Sequence, residues 1–314
     1  MRLPQLSPRA YRRITLFAAL MLAVIIVTGG AVRLTDSGLG CPDWPNCSPG
    51  RIAPREASDA NAMIEFLNRT FTGLVSVAVV LAVLGSLLRV PRRRDLVWLS
   101  LGLVAGVVAQ AVLGGLTVLF HLEPPFVMAH FLLSLVLLTN ALVLHRRAGQ
   151  PDTAPGPAVP PVVTRLSRVL LTAAAVVVVS GTVVTGAGPH SGGGPEDAVE
   201  RLDLYIPDVA RVHGTAVMVF LALVLVTLWV VRRERAPVAV QQRVGVLLAV
   251  LVAQAAVGYA QYFNDIPALL VGIHIAGATA VWAAVVSFHL GLFERTEAGI
   301  DERAKARGGV LAPA

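Results

Sequence analysis

The sequence predicts an all-α, polytopic membrane protein: eight transmembrane helices in two parallel-repeat four-helix bundles. Three observations predict it. The 314-residue chain is 55% hydrophobic and 14% charged, with a mean hydropathy of +0.72, too apolar for a soluble domain of that length. Eight apolar stretches are each about as long as the roughly 20 residues that cross a hydrocarbon core. Gln110, Gly114 and His130 return as Gln254, Gly258 and His274, each 144 positions later. Four helices per half bring the chain back to the same side, so the repeat is parallel, with a pseudo-two-fold axis along the membrane normal.

The apolar stretches lie at about 14–32, 64–88, 96–120, 126–144, 166–186, 208–231, 243–263 and 269–291. The first follows a basic start (Arg9, Arg12, Arg13) and is long enough to span, and no small-residue cleavage site precedes Arg33. It reads as a retained helix rather than a signal peptide. The turns 89–95, 145–165 and 232–242 and both ends of the chain are basic, whereas 33–63, 121–125, 187–207 and 264–268 are less so. The positive-inside rule therefore predicts a plasma-membrane protein with both termini in the cytoplasm and the 33–63 loop outside. Residues 149–161, GQPDTAPGPAVPP, form a Pro-rich linker between the halves. The expected organisation is an N-terminal half over 1–148, a linker over 149–165, a C-terminal half over 166–291 and a cytoplasmic tail over 292–314.

The net charge of +7 is spread in short runs between apolar segments, which argues against nucleic-acid binding. Two cysteines make neither a disulfide framework nor a four-ligand zinc site. The Ala, Val, Gly and Arg bias is that of a GC-rich bacterial genome.

Four places carry chemistry. His130, His213 and His274 each fall near the outer start of a helix, and ionisable groups at membrane depth mark functional sites. A lone buried histidine is usually a satisfied polar bridge. Three at matching depth, two of them repeat-related, read as ligands, and a helical bundle clasps haem iron between facing imidazoles. His213 and His274 form the expected pair in the second half. In the first half the repeat places Asn68 opposite His130, and an amide is a weak iron ligand. Glu65, Asn68 and Arg69 share a helix face, where an interfacial Glu65–Arg69 pair competes with a role in proton transfer. The loop containing Cys41-Pro-Asp-Trp44-Pro-Asn-Cys47 holds the only cysteines. Arg33, Arg69 and Arg211 lie near the outer surface, where they suit haem propionates or snorkel to the interface. His121 reads as interfacial and His190 as a loop residue, while His145 and His289 sit at cytoplasmic helix ends, where the dipole favours them. Gln110-x3-Gly114-Gly115-x-Thr117 and Gln254-x3-Gly258-x2-Gln261 read as close helix packing, or as room for a flat porphyrin.

Gly29–Cys47 (GGAVRLTDSGLGCPDWPNC), Glu65–Gly73, Gln110–His130 and Gly181–His190 resemble haem A synthases, of a bacterial, actinobacterial type. The resemblance covers most of the chain and implies stepwise oxidation of a haem O methyl group to a formyl group, giving haem A for terminal oxidases. It implies a substrate-haem site at Glu65, Asn68, Arg69 and His130, with Glu65 catalytic, and a haem b cofactor on His213 and His274. Cys41 and Cys47 are then a disulfide, either a structural staple or a redox pair. Members usually have histidine where this chain has Asn68. Either His130 alone holds the substrate haem, leaving an iron position open, or activity is lost. Candidate partners are haem O, the farnesyltransferase that makes it, an electron donor, a thiol–disulfide partner, membrane lipid and a second copy of the chain. The alternative is a dihaem electron-transfer or haem-carrying protein without oxidation chemistry, and a transporter on parallel repeats is a third reading.

Overall fold

A computed structural model of the chain describes residues 5–152, 156–194, 196–197 and 199–294. Among them are eight long apolar helices: α1 (Pro8–Leu34), α2 (Ala60–Leu88), α3 (Arg94–Leu119), α4 (Pro124–Ala148), α5 (Pro161–Ala187), α6 (Ile206–Arg233), α7 (Val238–Phe263) and α8 (Ala268–Gly291). The shortest, α8, has 24 residues and at 1.5 Å per residue is about 36 Å long, enough to cross a core of roughly 30 Å. Large apolar side chains such as Leu81, Val108, Val136, Val176 and Val226 point outward. Only a lipid solvent makes that surface stable, so the chain is a multi-pass membrane protein.

The helices overrun the apolar stretches, mostly on the side where α1 begins and α8 ends. α1 starts at Pro8, with the Ser7 hydroxyl accepting from the Ala10 amide, and α5 starts at Pro161 within the expected linker. Hydropathy sees only the segment in lipid, while the helix continues into the interface until a cap or proline stops it. Helices α1–α4 pack in a ring, each against its chain neighbours with α4 closing on α1, and α5–α8 do the same. One core gathers Tyr11, Leu22, Val79, Leu103 and Leu138, and the other Leu170, Phe220, Val244, Leu247 and Val285. The rings meet where α8 and α5 lie against α1 and α4, and the Trp282 indole donates to Thr139 Oγ1 at 2.9 Å across that seam.

The 144-residue spacing reappears in the backbone. His121 and Leu122 between α3 and α4, and Asp265 and Ile266 between α7 and α8, are consecutive left-handed residues. In each turn the second amide bonds to a helical carbonyl, Leu122 to Thr117 at 2.8 Å and Ile266 to Gln261 at 2.9 Å.

On the side where α1 begins and α8 ends, Arg93 is almost fully buried. It donates to the carbonyls of Arg147 (3.0 Å) and Gln150 (2.5 Å) and to the Asp95 carboxylate (2.7 Å), pinning the start of the linker to α3. Farther along, the linker pairs Gly156–Pro157 antiparallel with Phe293–Glu294 after α8. Most of the expected tail, residues 295–314, lies outside the described residues. Arg93→Met leaves the Arg147 and Gln150 carbonyls without their donor and removes the buried guanidinium beside Asp95. It is expected to cost about 3 kcal/mol, seen as a lower unfolding midpoint in detergent. An unchanged midpoint would mean the linker is held by other contacts.

Candidate functional site

On the side of the 33–63 loop, each of three histidines rests on a glycine of the neighbouring helix. A methyl group at Gly114 (α3) would sit 3.1 Å from His130 Cε1 (α4), one at Gly181 (α5) 3.1 Å from His213 Cε1 (α6), and one at Gly258 (α7) 3.0 Å from His274 Cε1 (α8). Larger residues there would displace the rings. The glycines of the Gln-x3-Gly patterns therefore act on the imidazoles as well as on helix packing. The glutamines complete the arrangement: Gln110 Nε2 donates to the His130 carbonyl at 3.1 Å, and Gln254 Nε2 to that of His274 at 2.8 Å.

The His213 ring has a defined tautomer. The Ser180 hydroxyl donates to the Val177 carbonyl at 2.9 Å, so at its 3.0 Å contact with His213 Nδ1 it accepts. Nδ1 then carries the proton and Nε2 keeps its lone pair, the state of a metal-ligating imidazole. His274 Nδ1 is buried without a protein partner, as is His130 Nδ1.

Among the described residues, no three His, Cys, Asp or Glu side chains converge as ligands for a bare ion. A pair of neutral imidazoles suits a metal that a macrocycle already holds in its plane, so these residues fit haem.

The first half is built differently. Asn68 on α2 has its Oδ1 buried without a partner. One turn earlier Glu65, only 4% exposed, accepts the Cys41 amide at 2.7 Å and Arg69 Nη2 at 2.5 Å. Arg69 also donates to the carbonyls of Cys41 (2.7 Å) and Asn46 (2.9 Å). Glu65 and Arg69 thus form the interfacial pair weighed from the sequence and also grip both peptide groups flanking Cys41.

Cys41 and Cys47 are joined in a disulfide, buried beside Ala62 and Phe66. Gly40 lies so close to the Asn61–Ala62 backbone that any side chain there would collide with it. From there the loop crosses to α3, where the Trp44 ring covers Gly115, its atoms 2.7 Å from where a methyl would be. The disulfide loop therefore lies over the first bundle, next to the Gly114–His130 contact. The corresponding position in the second half is Tyr259, which is exposed.

Arg33, a candidate propionate partner, is drawn into the loops: Nε donates to the His190 carbonyl at 2.7 Å and Nη2 to that of Thr185 at 3.0 Å. His190 Nε2 donates to the Ile266 carbonyl at 2.8 Å, and the Gly38 amide to the Gly192 carbonyl at 2.8 Å. His190 is therefore a loop residue that ties the third loop to the α7–α8 turn. Arg211 is exposed and pairs with Asp208 at 3.1 Å.

At the opposite ends of the bundles His145 contacts Thr15 Oγ1 at 3.2 Å and His289 contacts Ser167 Oγ at 2.9 Å. Sequence reasoning explained these two by helix dipoles and missed the hydroxyls. The signal was there: Thr15 and Ser167 share the 152-residue spacing that relates Thr28-Gly29 to Ser180-Gly181.

The chain is similar to known proteins along much of its length. The family model COX15-CtaA, described as "Cytochrome oxidase assembly protein", matches residues 12–189. A "Heme A synthase" of Lysinibacillus sphaericus is 34% identical over 130 residues, 40% of this chain and 41% of that protein. One from Exiguobacterium sibiricum is 28% identical over 185 residues, 56% of this chain and 61% of that one. These two matches each span less than two thirds of the relative's length. A "Heme A synthase" of Shouchella clausii is 23% identical over 280 residues, 84% of this chain and 91% of that protein. With more than half of its residues matched by the family model, the chain belongs to the COX15-CtaA family of cytochrome oxidase assembly proteins.

Proposed function

We propose that this protein is a haem A synthase, an oxidoreductase that converts a methyl group of haem O to a formyl group. The observation that carries the reading is the set of three imidazoles seated on glycines at one depth, one in a bundle lidded by the disulfide loop and two in its partner. Family membership and the printed name of the relatives support it.

In this reading the substrate haem sits in the first half, with His130 as its protein ligand and Glu65, Asn68 and Arg69 around it. His213 and His274 hold haem b in the second half. When bound, that haem supplies a one-electron relay. His213 and His274 are the residues that would hold it. The protein's own contributions are specific. Ser180 holds the His213 tautomer, Gln254 and Gly258 fix the His274 backbone and ring, and Trp44 brings the Cys41–Cys47 loop onto α3 at Gly115, the neighbour of Gly114. Glu65, buried and charge-paired with Arg69, is the group available to move a proton at the substrate.

The basic residues Arg9, Arg12, Arg13, Arg92, Arg94, Arg146, Arg147, Arg232 and Arg233 all lie toward the side where α1 begins and α8 ends. The positive-inside rule puts that side in the cytoplasm and the disulfide loop outside. There the disulfide is a staple or an exchanger with a thiol partner. Candidate partners remain the farnesyltransferase that supplies haem O, an electron donor and a second copy of the chain.

Asn68 favours one rival, a dihaem electron-transfer protein without oxidation chemistry. The deciding experiment is to express the chain in a host that makes haem O but no haem A and to separate the extracted haems with mass detection. Haem A or its hydroxylated precursor is expected. Haem B and unaltered haem O alone, from protein folded in the membrane, would reject the synthase reading in favour of the rival.

A further inference from the structure

A groove of about 230 Å³ opens on the outer surface of the second bundle, between the start of α7 and the end of α8. Ala239, Gln242, Arg243, Val246, Ala284 and Ser287 line it. Val246 and Ala284 form its deeper, apolar end, one helical turn in from Arg243, Gln242 and Ser287. Arg243 stands where the seventh apolar stretch begins, at the level of the lipid headgroups.

The polar end is only partly used by the protein. Arg243 Nη1 donates to the Gly291 carbonyl at 3.1 Å, and Gly291 has no side chain to block the approach. Among the described residues this is the one hydrogen bond of Arg243, so the rest of its guanidinium fork can meet a ligand. The exposed side chains of Gln242 and Ser287 make no hydrogen bond among the described residues. No carboxylate lines the groove to balance the charge of Arg243.

The internal repeat supplies a comparison. Arg243, Val246 and Ala284 correspond to Leu99, Gly102 and Asn140 in the first half. There Asn140 Nδ2 donates to the Leu99 carbonyl at 3.1 Å and lies 2.9 Å from where a methyl on Gly102 would be. The first half thus fills the gap with an amide and has no cation beside it. A groove between α5 and α6 is open but holds no charged side chain. Gap and cation occur together only between α7 and α8 among these three places.

We propose that this groove binds one anionic phospholipid. The phosphate diester meets Arg243, with Gln242 and Ser287 as further donors, and one acyl chain lies along Val246 and Ala284. Three features select that occupant. The groove faces lipid, so a hydrocarbon chain fills its apolar end. A guanidinium at headgroup level pairs with phosphate. With no carboxylate present to receive the cationic end of a zwitterionic headgroup, a headgroup of net negative charge binds better. The inference is independent of the haem reading.

The test uses the full-length protein, purified in detergent and stripped of lipid, in native mass spectrometry with phosphatidylglycerol and phosphatidylcholine as probes. Wild-type protein is expected to hold one phosphatidylglycerol about 10-fold more tightly than phosphatidylcholine. R243Q should abolish that preference. A284L keeps Arg243 but fills the groove from within, so it should weaken phosphatidylglycerol binding to a similar extent, and it decides the question if R243Q does not fold. R165Q removes an exposed arginine on the same side that does not line the groove, and it should bind as the wild type does.

Equal retention of the two lipids, or a preference that survives R243Q or A284L, would overturn the site. A loss in R165Q equal to that in R243Q would also overturn it, in favour of attraction by surface charge in general. Displacement of phosphatidylglycerol by inorganic phosphate at equal concentration would mean a plain anion site and overturn the lipid as its occupant.

Discussion

Substituting His274 by alanine is expected to remove the low-spin haem of the second half, leaving His130 and the first half intact. The prediction follows from how the two rings are held. His213 has its proton fixed on Nδ1 by a hydroxyl already committed to a backbone carbonyl, so Nε2 is the free donor. His274 is held by a bond to its own carbonyl and by a glycine under its ring, so its ring has one place to be. In the proposed reading, removing either imidazole takes away one of the two residues that would hold the haem. Haem content measured as the pyridine haemochrome, with spectra of the remaining haem, checks this for H274A and H213A alike. A full low-spin signal in both variants would mean that other residues bind that haem. Ser180→Ala is milder: with the tautomer no longer enforced, haem affinity should fall about 10- to 100-fold. Unchanged affinity would make the hydroxyl contact a matter of packing only.

Replacing Glu65 by glutamine should keep the protein folded and haem-loaded but cut conversion of haem O by about 10²- to 10⁴-fold, the usual contribution of a positioned acid or base. Glutamine still offers an oxygen to the Cys41 amide, so the loop keeps one of its two ties to residue 65. It carries no charge and cannot exchange a proton in the same way. A second variant resolves the structural contribution. Arg69→Lys keeps the charge beside Glu65 but loses the fork that reaches the carbonyls of Cys41 and Asn46. If Glu65→Gln converts haem O at the wild-type rate, Glu65 is a loop clamp and the proton role is rejected. If both variants fail equally and expose the disulfide to reductant, the loss belongs to loop placement.

Much of this was legible in the sequence because its physics is local or periodic. Eight apolar stretches specify eight helices, since nothing but a helix satisfies its backbone in lipid there. The 144-residue spacing picked out His130 and His274 and their glutamines and glycines before any packing was known. Asn68 stood out because a repeat makes its own comparison.

The helix ends were less legible, since a span that continues into the interface is stopped by caps such as Ser7 and prolines such as Pro161, and hydropathy registers neither. The tasks of single residues were least so. Arg33 seemed suited to a propionate, yet the end of α5 and the third loop supply the Thr185 and His190 carbonyls that take two of its donors. Gly115 looked like helix packing, yet it lies under Trp44 from a loop more than 60 residues away in the chain.

By itself, then, the sequence determined the membrane class, the helices, the internal repeat and the residue types able to hold haem. Tertiary structure alone decided which glycine lies under which ring, which hydroxyl orients His213, and that Glu65 and Arg69 grip the disulfide loop. The physical reason is that these contacts join different helices and loops. Their geometry depends on how whole elements pack, and no spacing along one chain encodes the distance between two.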